Sequence, residues 1–131
     1  MKIKVVSDLH LEFADITIPN NGADVLILSG DILISQTLHD HKPDDVGPDS
    51  LGFMRSAKAQ RFRDFLQRCN DDFPHTIYIA GNHEFYHGKW NRTLTVLSDE
   101  CAKFPNVYFL EAGSKKIDDV TFIGGTLWTD M

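Results

Sequence analysis

The sequence predicts an α/β fold, with a mainly parallel sheet and flanking helices, on three observations. Apolar runs of strand length recur at Ile3-Lys4-Val5-Val6, Val25-Leu26-Ile27-Leu28-Ser29 and Ile77-Tyr78-Ile79-Ala80. A helix-spaced apolar stripe lies between the second run and the third, and strand–helix–strand alternation is built most simply with parallel strands. Each run also ends in polar side chains able to hold a metal, which gathers them beyond the carboxyl edge of such a sheet.

The elements follow in order. Residues 2 to 7 read as a buried β-branched strand, turned by Ser7-Asp8-Leu9-His10. Phe13 to Pro19 alternates weakly, as an edge strand or a loop, and Pro19-Asn20-Asn21-Gly22 is a turn signal. Val25 to Ser29 has the unbroken apolar character of a strand covered on both faces, closed by Gly30-Asp31. Ile32 to Ser50 is polar and irregular, which predicts a solvated mobile loop carrying His39 and His41. Leu51, Met54, Phe62, Phe65, Leu66 and Cys69 then form a helical stripe, stopped at Asn70-Asp71-Asp72-Phe73-Pro74. His75 to Ala80 is the third strand, Lys89 to Phe104 a second helix and Val107 to Leu110 a fourth strand. Ala112 to Ile117 and Val120 to Gly125 read as a hairpin turned at Asp118-Asp119.

With 131 residues and 42% hydrophobic side chains, the chain reads as one folded domain over residues 1–131, able to bury roughly two-thirds of its unfolded surface. Its formal charge of −6 and lack of a basic run argue against a nucleic-acid grip. Bound divalent cations would still admit a phosphate ester to one pocket of an acidic protein. No segment reads as a signal peptide or a membrane span, so a cytoplasmic location is expected. Cys69 and Cys101 are read as buried free thiols.

Asp8, His10, Asp31, Asn82 and His83 all fall beyond strand ends and are expected to converge. If the backbone at Asp8 and His10 stays extended, positions i and i+2 point to one side and can share an ion. Mixed carboxylate, imidazole and amide donors suit Mn, Fe, Zn or Ni. Asp31 is the candidate bridge between two cations. His87 reads as a surface residue, and Phe13, Phe85, Tyr86, Trp90 and Trp128 as core or pocket-mouth aromatics.

Asp8-x-His10, Gly30-Asp31 and Gly81-Asn82-His83-Glu84, in that order and spacing, resemble the first three motifs of the calcineurin-like metallophosphoesterases. The resemblance runs over essentially the whole chain, and the stretches from Val5 to Phe13 and from Gly125 to Asp130 are similar to small bacterial and phage members. Gly30-Asp31 lacks the Asp-Arg-Gly continuation of the protein phosphatase branch, which disfavours that role.

The resemblance implies the N-terminal portion of an α/β/β/α sandwich and a two-metal phosphoesterase acting on phosphomonoesters or phosphodiesters. Asp8 and His10 would bind the first metal, Asp31 would bridge and Asn82 would bind the second. His83 would act at the scissile phosphate, and Glu84 would orient a neighbour. The family's later His and Gly-His-x-His motifs have no counterpart here, since all six histidines lie at or before His87. The expected consequences are a weak second metal site and a truncated enzyme or half of a split one, with self-association or a complementing chain. The alternative is a weak or inactive metal-binding and interaction module.

Overall fold

The computed structural model describes residues 1–41 and 50–126. Its strands are β1 (Ile3–Val6), β2 (Val25–Ser29), β3 (His75–Ile79), β4 (Val107–Phe109), β5 (Gly113–Ile117) and β6 (Val120–Gly124). Its helices are α1 (Ser35–Asp40), α2 (Ser50–Asp72) and α3 (Trp90–Cys101), and a 3-10 turn spans His83–Phe85. β1 to β4 pair in that order as a parallel sheet, while β5 and β6 form a separate antiparallel hairpin.

Alternation along the strands divides the sheet into two differently covered faces. Leu26, Leu28 and Tyr78 point toward the helices, where they meet Leu38 of α1, Phe62, Phe65 and Leu66 of α2, and Val96 and Leu97 of α3. Each large side chain buried this way contributes about 1.5–3 kcal/mol. Val25 and Ile77 point the other way and pack with Leu110 and Ile117 under the hairpin. The hairpin sits close: a Cβ on Gly124 would lie 2.8 Å from Ile79 Cγ2.

Two expectations change. β1 is an edge strand rather than a buried one, because among the described residues only β2 pairs with it. Ile3 and Val5, on the hairpin-side face by register with Val25 and Ile27, stay 43% and 61% exposed because the hairpin packs over Ile77, Ile79 and Leu110. The second change is α1, which occupies part of the stretch read as irregular. Neither of its caps makes a side-chain bond, so tertiary contact stabilises it: Leu38 is fully buried, Ser35 Oγ donates to Thr93 O, and Arg63 Nη2 donates to Leu38 O. His39 sits on this helix beside Asp40, and His41 follows its end.

Phe13 to Pro19 forms no strand. Cys69 and Cys101 are both buried free thiols, as expected. Leu51 and Met54 fall where side chains lie outside the described residues, as do residues 127–131 with Trp128.

Candidate metal centre

Backbone pairing continues past the ends of β1 and β2. The Asp8 amide donates to Gly30 O at 3.0 Å, His10 to Asp31 O at 3.1 Å, and Leu11 to Ile32 O at 2.8 Å. The backbone at Asp8 and His10 is nonetheless not extended. Asp8, His10 and Asp31 have φ of 57°, 48° and 55°, a left-handed conformation that costs non-glycine residues about 1–3 kcal/mol each. Strain held at three neighbouring polar positions is a mark of functional loops.

Two glycines bring the β2 and β3 ends together. A Cβ on Gly30, whose φ is +91°, would lie 2.8 Å from both N and Cα of Gly81. A Cβ on Gly81 would lie 2.5 Å from Asp31 Oδ1 and 2.7 Å from Asp31 N. Main chain therefore packs on main chain, and any larger residue would separate the Asp31 and Asn82 loops.

Glu84 locks this contact from beneath. It is fully buried, and Oε1 accepts from the amides of Asp31 at 2.9 Å and Gly81 at 2.7 Å. Oε2 accepts from the amides of Ile32 at 2.8 Å and Leu33 at 3.1 Å and from the Tyr78 hydroxyl at 2.6 Å. One carboxylate thus fixes both loops. Burial and the adjacent Glu84 charge push the Tyr78 phenol well above its ordinary pKa, so it remains a donor.

Among the candidate side chains, Asp31 Oδ1 accepts from the His83 amide at 2.8 Å. His10 Nε2 is 3.8 Å from Asp8 Oδ1. The Ser7 hydroxyl, donating to Asp8 Oδ2 at 2.7 Å, lowers the Asp8 pKa against some desolvation, with Asp31, His10 and His83 adding to the effect. Asn82 precedes the 3-10 turn and donates from Nδ2 to the Tyr86 hydroxyl at 3.4 Å.

Glu12 escaped the sequence reading. It is 6% exposed, and its Oε1 lies 3.1 Å from His83 Nδ1 and 3.5 Å from His10 Nδ1. Donor atoms of His10, Glu12 and His83 all fall within 4.8 Å of one another, close enough for a single ion. The available signal was the spacing Asp8-x-His10-x-Glu12, three ligand types at every second position.

Asp8, His10 and Asp31 sit on this strained, loop-built edge, with Asn82 heading the adjacent 3-10 turn, and their oxygen and nitrogen donors are of the kinds that borderline divalent metals take. Around them, the Tyr86 ring centroid lies 4.3 Å from that of His83, and Phe85 stacks on Trp90 at 4.3 Å. His87 lines a neighbouring cavity of about 350 Å³ with Glu12, Gln36 and Lys58.

The chain matches the family model of calcineurin-like phosphoesterases over residues 1–128. It is 29% identical over 137 residues to the uncharacterized protein L509 of Acanthamoeba polyphaga mimivirus, covering 98% of this chain and 45% of that protein. It also resembles a solved crystal structure with a TM-score of 0.59 at 14% identity, a likeness of fold that covers 98% of this chain and 54% of the other. The chain thus spans about half the length of these relatives. No described helix is long and apolar enough to cross a membrane. With the parallel sheet, the strand-end loops and the family match in agreement, the chain belongs to the calcineurin-like phosphoesterases.

Proposed function

We propose that the chain hydrolyses phosphomonoesters or phosphodiesters by a two-metal mechanism, with manganese as a suitable ion. The observation carrying this reading is the contact of Asp31 with both neighbouring loops: its carboxyl accepts the His83 amide and its backbone carbonyl accepts the His10 amide. Asp8 and His10 would hold one cation, Asp31 both, and Asn82 the other. When bound, such cations polarise phosphoryl oxygens and acidify an attacking water.

The chain's own groups do the rest. Ser7 holds the Asp8 carboxylate by a hydrogen bond, and Glu84 holds Asp31 and Gly81 in register. His83, brought by the 3-10 turn beside His10, protonates or stabilises the leaving oxygen. Metal content by mass spectrometry and manganese-dependent hydrolysis of an aryl phosphate test the proposal. The parent is expected to be active and Asp31→Asn to lose activity and metal, whereas activity surviving Asp31→Asn sinks the two-metal reading.

A second reading is favoured by the small donor set, three protein ligands for one cation and two for the other. On it, the chain is a weak or inactive metal-binding module. Stoichiometric metal without hydrolysis identifies it. The exposed apolar side chains of Ile3, Val5 and Ile123 support association with a second copy or a complementing chain, which a monomer by light scattering at high concentration would refute.

A further inference from the structure

We infer that Glu12 is a positioning residue that holds the imidazoles of His10 and His83 together by their Nδ1 edges and so turns both Nε2 atoms toward the reacting face. The two Nδ1 atoms are 3.2 Å apart, with ring planes at 63° and centroids 4.3 Å apart. One oxygen, Glu12 Oε1, lies beside both: it is hydrogen-bonded to His83 Nδ1 at 3.1 Å and stands at an ion-pair distance of 3.5 Å from His10 Nδ1. Two Nδ1–H groups sharing one carboxylate oxygen satisfy all three atoms, whereas a direct Nδ1–Nδ1 bond would strip one ring of its proton there.

Glu12 is free to serve both rings. Its Oε2 is buried and has no hydrogen-bond partner among the described residues, so the two imidazoles are its polar contacts there. A carboxylate buried this deeply needs donors, and the rings supply them. The turn that delivers it is anchored by Leu11, fully buried with its amide on Ile32 O, and by the Phe13 amide on His10 O. With Nδ1 occupied, His10 presents Nε2 to Asp8 at 3.8 Å, and His83 Nε2 makes no hydrogen bond among the described residues. Carboxylate–imidazole pairing of this kind fixes the tautomer and with it which nitrogen is exposed.

The primary test needs neither metal nor activity. Long-range nitrogen–proton correlation spectra of the metal-free parent, recorded in alkaline solution, are expected to show His10 and His83 carrying a proton at Nδ1. Glu12→Gln is expected to shift or mix those signals. Nε2-protonated His83 in the parent overturns the inference.

Two further readouts separate orientation from mere structure. Glu12→Gln should weaken manganese binding by about tenfold while keeping its stoichiometry; loss of a whole metal equivalent would make Glu12 a direct ligand and overturn the inference. The last readout rests on the phosphoesterase reading. Relative to an aryl ester with a good leaving group, hydrolysis of an alkyl ester should fall about 10²-fold in Glu12→Gln and likewise in His83→Ala, with no further fall in the double variant. Equal losses on both esters, or multiplying losses in the double variant, overturn it. An inactive parent with Nδ1-protonated rings refutes the hydrolase reading alone.

Discussion

Replacing Glu84 with glutamine keeps shape and volume but takes one acceptor oxygen from a site with five donors. With its amide nitrogen at the Oε1 position, the side chain turns N–H groups toward the N–H groups of Asp31 and Gly81; with the opposite orientation it faces Ile32, Leu33 and Tyr78 instead. The less damaging choice leaves two part-buried donors, the Asp31 and Gly81 amides, unpaired. At about 1–3 kcal/mol for each unsatisfied buried group, the loss is about 4 kcal/mol. That is a large share of the roughly 5–15 kcal/mol that holds a typical domain together. The melting temperature should fall by about 10–20 °C, between the sensitivities usual for smaller and larger domains. Urea denaturation of the metal-free parent and variant, followed by circular dichroism, measures it. A variant within about 1 kcal/mol of the parent would show that the Glu84 cluster is not what holds the two loops together.

Gly81→Ala places a methyl 2.5 Å from Asp31 Oδ1, and calorimetric titration should find manganese binding lost or reduced well beyond the accompanying loss of stability. Arg63→Ala leaves the buried Glu100 carboxylate, now 3.0 Å from the guanidinium, without its main partner; the expected cost is about 3–5 kcal/mol by denaturation, with Lys103 at 3.2 Å softening it. Burial pushes the Cys69 and Cys101 thiols up to about 12, so both should resist a thiolate-specific disulfide reagent at neutral pH until the chain unfolds. Because the folded state keeps those protons longer than the unfolded chain, stability should fall as pH rises above the ordinary thiol value of about 8.5. Rapid labelling of the native protein would refute the assigned burial.

The parts of the candidate site legible in the sequence were those whose chemistry interrupts an apolar run: Asp8, His10, Asp31, Asn82 and His83, the residues expected to form it, each follow a strand of nonpolar residues. Glu12 was not, because a glutamate one residue before Phe13 looks solvated until a turn buries it against two rings. Glu84 was visible as a neighbour of the site, but its five partners lie up to 53 positions away and exist only in the folded state. The strands and long helices followed from periodicity. α1 did not, since six residues without an N-terminal side-chain cap depend on Leu38, Ser35 and Arg63 finding contacts elsewhere. The exposure of Val5 likewise depends on which strands acquire neighbours, a property of topology rather than of local pattern.

The Glu84 bonds to Asp31, Ile32 and Leu33 close separations of 53, 52 and 51 residues. Such closures form only after the intervening chain has collapsed and β2 has aligned with β3, since the entropy of long loops is lost before the contacts return it. The β2 loop therefore acquires its shape late, and a chain that has its helices but has not yet paired these strands has no cradle for an ion. Capture of a cation during refolding would then act as a clock for the final step of assembly, trailing the appearance of secondary structure rather than seeding it.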